Sequence, residues 1–246
     1  MESAEKPLQQ PEEGGVETGP KYNFGQIERL QKSAESLVQQ LKEKIDGDEY
    51  DMLIGDDVSG RIPTLILRSV INERKRQLHM DKSPQENEIP TKFIVGGRAY
   101  DVENMEEVMK FLEKIKPQIK KKALLVTEFM DSGNGMNKMA RAFNGAGIDF
   151  DVATFASFED PDFYQKNCDN LRGHKIFVGQ EGFEHVSGIY GQRSFVGVMK
   201  HHSHESAHAI RYKKRYNIHL EPQGSINKAH HDVKILADDV IKKVWG

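Results

Sequence analysis

The sequence predicts an α/β fold with a doubly wound, mostly parallel sheet flanked by helices and a small C-terminal hood or cap. Two observations carry this. Short apolar runs alternate with stretches of helical periodicity, which is the pattern of parallel βαβ crossovers. Two of those runs, Tyr50–Gly55 and Ala123–Val126, lead into small polar loops containing glycine, and in doubly wound sheets ligands bind outside the carboxyl ends of strands.

Taken in order, residues 1–20 carry Pro7, Pro11, Pro20, Gly14, Gly15 and Gly19 among Glu and Gln, too little apolar surface to stabilise order, and are expected to form a disordered tail. From Phe24, the residues Phe24, Ile27, Leu30, Ala34, Leu37, Val38, Leu41 and Ile45 step by three and four, predicting one amphipathic helix. Its apolar side fits either a sheet face or a homodimer face. Tyr50–Gly55 reads as a buried strand, followed by the loop Asp56-Asp57-Val58-Ser59-Gly60-Arg61 and a helix with Pro63 in its first turn. Residues 79–91 read as an exposed loop. A third strand is expected over Lys92–Gly97 with Arg98 just beyond it, and a helix over Asp101–Lys116.

The strand at Ala123–Val126 leads to Asp131-Ser132-Gly133-Asn134-Gly135. A helix follows, with Met136, Met139, Ala140 and Phe143 on one face and Gly145 and Gly147 as stops. Strands are expected at Asp151–Phe155 and Lys175–Val178, separated by a polar segment, and a last helix at Asp232–Val244. Domain organisation is therefore a tail and one domain over residues 21–246, in which residues 179–224 are the candidate hood.

Composition narrows the function classes. The chain of 246 residues has 35 basic and 38 acidic residues, a net charge of −3, so no global field favours nucleic acid or an anionic membrane. No apolar stretch approaches the ~20 residues of a membrane span, and the first residues lack a signal-peptide pattern. A soluble, cytoplasmic protein is expected. The single cysteine, Cys168, excludes an intramolecular disulfide or a multi-cysteine metal site. It reads as structural, although a lone thiol can also be catalytic.

A Gly-rich loop at a helix start presents unpaired backbone N–H groups and the positive end of the helix dipole, and glycine lets an anion approach the backbone closely. The loop Asp131–Gly135 has this composition, as does Ser59-Gly60-Arg61, where a guanidinium adds a fork suited to phosphate oxygens. The same residues also make an ordinary strand-to-helix turn, since Asp and Ser cap helices and Gly and Asn tolerate positive φ.

The spacing Val126-Thr127-Glu128-Phe129-Met130-Asp131-Ser132-Gly133-Asn134-Gly135 resembles the signature of type I phosphoribosyltransferases. The order and spacing of strands over residues 50–155 are similar to that family too. The resemblance implies that Glu128 contacts ribose hydroxyls and that Asp131, Ser132, Gly133 and Asn134, with Gly135 closing the loop, hold the ribose phosphate. Asp131 would also lie close to the acceptor base as an acid/base group. Ser59, Gly60 and Arg61 stand in place of the pyrophosphate loop, with Asp56 and Asp57 as outer Mg²⁺ ligands through water. The implied activity is Mg²⁺-dependent transfer of a phosphoribosyl group from phosphoribosyl pyrophosphate to a nucleobase-like acceptor, with Glu128, Asp131 and Arg61 as the catalytic set.

Three departures from the pattern favour an alternative, a binding or sensor module of the same kind without turnover. Thr127 stands where an acidic residue is expected, Gly135 replaces a hydroxyl residue, and Asp56 and Asp57 place negative charge in the loop meant for pyrophosphate.

Two further motifs need weighing. His204 and His208 have i,i+4 spacing, and His204-Glu205-Ser206-Ala207-His208 is similar to the HExxH pattern of zinc hydrolases, with His201 and His202 nearby. No apolar helix frames it, and a polar surface segment accounts for the same residues. Tyr212-Lys213-Lys214-Arg215-Tyr216 interleaves basic and aromatic side chains, which suits either a nucleic-acid contact or a solvated face.

Overall fold

A computed structural model describes residues 20–56, 59–94, 102–185 and 222–246. The elements run α1 (Gly25–Glu28), α2 (Gln31–Asp46), β1 (Tyr50–Asp56), α3 (Arg61–Leu78), β2 (Thr91–Ile94), α4 (Val102–Ile115), β3 (Lys122–Met130), α5 (Asn134–Ala146), β4 (Phe150–Ser157), α6 (Pro161–Asn167), β5 (Ile176–Glu181) and α7 (Pro222–Trp245). The five strands form one all-parallel sheet in the order β2-β1-β3-β4-β5.

Alternation along the strands divides the core in two. Leu53 of β1 and Leu124 and Val126 of β3 face one layer, built from α1, α2, α3 and α7 through Ile27, Leu37, Leu41, Ile66, Val70 and Leu236. Met52 and Ile54 of β1 and Ala123 and Leu125 of β3 face the other, where Val108 and Leu112 of α4, Met139 and Phe143 of α5, and Tyr164 of α6 pack. Helices on both faces of a parallel sheet make the fold doubly wound, as the alternating pattern predicts. The chain winds outward from β1 to β2, then returns to place β3 on the other side of β1. The strand order therefore reverses between β1 and β3, and the carboxyl ends of these two strands are where sheets of this kind bind their ligands.

Several expectations are corrected. The helix expected from Phe24 is broken: Leu30 N donates to Ile27 O, and α1 ends before α2 begins. All eight apolar residues of that stretch are buried in the core, so its apolar side is not an exposed homodimer face. In the loop expected at 79–91, Asn87 and Ile89 are buried and Thr91 already belongs to β2. Asn72 Oδ1 accepts the Ile89 N–H at 2.8 Å, drawing that end inward. β3 runs on to Met130 because β4 supplies partners as far as Met130↔Ser157. The segment between β4 and β5 holds a helix, α6, started by Asp160, whose side chain accepts from Phe163 N at 2.8 Å, with Pro161 in the first turn.

The candidate hood of residues 179–224 is ordinary sheet and helix at its two ends: Gly179–Glu181 complete β5, and α7 begins at Pro222, ten residues before the expected start. The tail (1–19), Asp57, Arg98, the histidines His201–His208 and Tyr212–Tyr216 lie outside the described residues. Among the described residues, no helix is long and apolar enough to cross a membrane.

Candidate ligand site at the carboxyl ends of β1 and β3

Asp56 is the last residue of β1 and Gly60 caps α3, so the first loop is short and tightly closed: Gly60 N donates to Asp56 O at 2.6 Å. A Cβ at position 60 would lie 2.4 Å from Val126 O, so only glycine lets the start of α3 press against β3. Ser59 bridges the two strands. Its hydroxyl donates to Asp56 Oδ2 at 2.8 Å and lies 3.3 Å from Thr127 Oγ1. Thr127 thus joins the first loop to β3, in the position where the sequence pattern led one to look for a carboxylate. The Ser59 hydroxyl is committed to this inward network, and the residue is buried.

Arg61 is the first residue of α3, half-buried, with its guanidinium carbon 4.5 Å from the centre of the Phe93 ring. The first turn of α3 contains no acidic residue and no side-chain cap. A cation there sits at the positive end of the helix dipole, where carboxylates are normally favoured.

The second loop follows β3. Gly133 caps α5 with φ +75°, a left-handed conformation open to glycine at no steric cost. Its lack of a side chain matters again in packing, because a Cβ would lie 2.7 Å from Tyr164 Cδ1 and 2.9 Å from Cys168 Sγ. Asp131, Ser132, Asn134 and Gly135 are exposed around this buried hinge. α5 has no side-chain cap from Gly133 and no acid in its first turn; Asn134 N lies 3.5 Å from Ser132 Oγ. Gly147, also at positive φ, ends the helix as expected.

Sequence reasoning missed what supports this loop. The Tyr164 hydroxyl reaches up from α6 to Met130 O at 2.7 Å and Asp131 O at 2.8 Å, and accepts from Glu159 N at 3.2 Å. Burial pushes its phenol pKa up, partly opposed by the backbone hydrogen bonds of Glu159 and Phe158, so it remains a donor at neutral pH. Cys168 Sγ lies 3.8 Å from Ser132 O, buried beneath Gly133. Burial raises its pKa, and the charge of Asp169 adds to that, which leaves an unreactive thiol in a packing role. The available signal was Asp160-Pro161, a helix start that places Tyr164 one turn on.

Gly55 pairs with Val126 in the sheet and Gly60 rests on Val126 O, so Ser59, Gly60 and Arg61 lie at the level of Val126 and Thr127, while β3 runs on to Met130 before the Asp131–Gly135 loop begins. Glu128 is placed differently from the exposed strand-end carboxylate that its position suggests: it is wholly buried inside β3, two residues before the strand ends. Among the described residues, no group of three His, Cys, Asp or Glu side chains forms a metal cage. Asp56, half-buried with one oxygen taking the Ser59 hydrogen bond, suits a cation carried by a ligand's own phosphates better than a protein-held one. Chemically the arrangement offers two helix starts at the carboxyl ends of the sheet, whose backbone N–H groups suit an anion, with a guanidinium and a carboxylate at the first of them. No protein-family model matches the chain, and no curated protein is significantly similar to it.

Proposed function

We propose that the chain is a phosphoribosyltransferase-like protein, with one such domain over about residues 21–246 and its hood between β5 and α7, and that it binds phosphoribosyl pyrophosphate at the two loops. The observation that carries this reading is the pair of glycine-started helices, α3 and α5, on either side of the strand-order reversal, both without a side-chain cap or an acid in the first turn. The Asp131–Gly135 loop is assigned the 5-phosphate, and Ser59-Gly60-Arg61 the pyrophosphate.

In the reaction, a ring nitrogen of a nucleobase-like acceptor attacks C1 of the ribose. The N–C1 bond forms, the C1–O bond to pyrophosphate breaks, and the acceptor's proton leaves to a base, for which Asp131 is the exposed carboxylate at hand. Mg²⁺ would neutralise charge on the leaving group, with Asp56 and Asp57 as ligands through water. Arg61 would supply further positive charge to the departing pyrophosphate.

A second reading, a sensor that binds without turnover, is favoured by a specific observation. Glu128 is fully buried and Thr127 is bonded to Ser59, so the pair that would orient the ribose offers no exposed carboxylate. Incubation with phosphoribosyl pyrophosphate, Mg²⁺ and a panel of purine and pyrimidine bases separates the two. Base-dependent pyrophosphate release, lost in Asp131→Asn, is expected of the transferase; saturable binding without release under every base establishes the sensor.

A further inference from the structure

The first loop contains a feature that pyrophosphate binding alone does not require. Phe93 of β2 pairs in register with Gly55 of β1, and its ring occupies the space a side chain at position 55 would fill: a Cβ there would lie 2.7 Å from Phe93 Cδ1 and 2.5 Å from Thr64 Oγ1. The ring therefore lies across β1, and Arg61 lies over it at 4.5 Å. A guanidinium stacks through its face and binds anions through its edge, so one side chain serves both contacts. Stacking on a fixed ring also restricts a long side chain that would otherwise lose rotamer freedom on binding.

We propose that Phe93 is the positioning residue for Arg61, holding its guanidinium at the start of α3 for a pyrophosphate group. This rests on the ligand assignment above. Gly55 is the seat that admits the ring, and β2, at the sheet edge, contributes to the site through this contact.

The test is calorimetric titration of inorganic pyrophosphate with Mg²⁺ into the wild-type protein and into Phe93→Leu, Phe93→Trp, Arg61→Ala and the Phe93→Leu/Arg61→Ala pair. Phe93→Leu should weaken binding by about threefold to tenfold, in line with a cation–π contact. Phe93→Trp should retain it, and Phe93→Leu should add nothing once Arg61 is alanine. Pentafluorophenylalanine at position 93 keeps the ring's shape while removing its attraction for a cation, and should reproduce the loss even if Phe93→Leu does not fold. Unchanged affinity with the fluorinated ring, or an equal loss in the Arg61→Ala background, overturns the role of Phe93 and leaves the ligand assignment standing. Binding of phosphoribosyl pyrophosphate but not of pyrophosphate overturns it together with the assignment of Ser59-Gly60-Arg61, and binding of neither overturns the whole reading.

Discussion

The two ends of this sheet are built on opposite plans. At the amino ends, charge is matched. Asp151 of β4, with no exposed surface, accepts from the Tyr50 hydroxyl at 2.9 Å and Lys122 Nζ at 3.2 Å, with Lys44 Nζ at 3.8 Å. Asp46 accepts from Arg74 Nε at 2.7 Å and Trp245 Nε1 at 3.2 Å, tying α2, α3 and α7 together, while Asp48 pairs with Lys75 and Lys121. At the carboxyl ends, α3 and α5 start on glycines without acids, one of them with an arginine. α6 shows what a helix start looks like when stability alone is served, with the Asp160 side-chain cap and Asp162 in its first turn. The difference teaches that carboxylates tie the elements together at the amino end, whereas α3 and α5 start at the carboxyl end without a side-chain cap or an acid, which is the contrast that the proposed anion site rests on.

Substitutions at the two ends should therefore separate stability from binding. The largest effect is expected at Asp151→Ala, which leaves the buried Tyr50 hydroxyl without its acceptor, takes one of two carboxylate partners from Lys122, and should lower unfolding free energy by about 3–5 kcal/mol in urea titrations. Its affinity for phosphoribosyl pyrophosphate should not change in conditions where it is folded. A binding loss as large as the loss produced at the loops would erase the contrast.

Gly133→Ala sits on the boundary. It forces a side chain into a left-handed position and into Tyr164 and Cys168, so about 2–4 kcal/mol of stability and the ligand site should be lost together. Arg61→Ala should do the reverse, shifting the denaturation midpoint little while weakening pyrophosphate binding by about tenfold or more, as expected for a charge-assisted contact.

The smallest effect is one of pH. Burial would raise the Asp46 carboxyl, but hydrogen bonds from Arg74 and Trp245 and the charges of Arg74 and Lys42 hold it below its usual range; Asp48 is held down likewise against burial, by Lys75 and Lys121. A carboxyl whose folded pKa lies below its unfolded one takes up protons first in the unfolded chain. The stability it gives is present above about pH 4 and is lost as the pH falls through the folded value. Arg74→Met should flatten that acid limb in thermal melts between about pH 2 and 4, and an unchanged limb would remove Asp46 from the account.

Much of this was legible because it is periodic. Strands buried on both faces read as apolar runs, which located β1, β3, β4 and β5. Gly133 and Gly147 were readable as turn and stop because their backbone angles demand glycine. What escaped depended on tertiary partners. Leu30 breaks the first helix although its spacing fits one. α6 was hidden by its short length and polar residues, and with it went the support that Tyr164 gives to Met130 and Asp131. Thr127 looked like a missing carboxylate in the sequence; in the fold its hydroxyl meets Ser59. Phe93 could be read only as a strand residue, since its contact with Arg61 joins β2 to α3 across β1.

The central claim is that the carboxyl end is completed by a phosphorylated ribose. Calorimetric titration of phosphoribosyl pyrophosphate into the protein, with and without Mg²⁺ and alongside Ser132→Ala, tests it most directly. The account predicts saturable, Mg²⁺-strengthened binding with one site per chain, weakened in the variant. It also predicts thermal stabilisation equivalent to ~2–3 kcal/mol at about a hundredfold excess over Kd. Absence of both heat and thermal stabilisation at millimolar ligand would contradict it, leaving two helix starts that serve the fold alone.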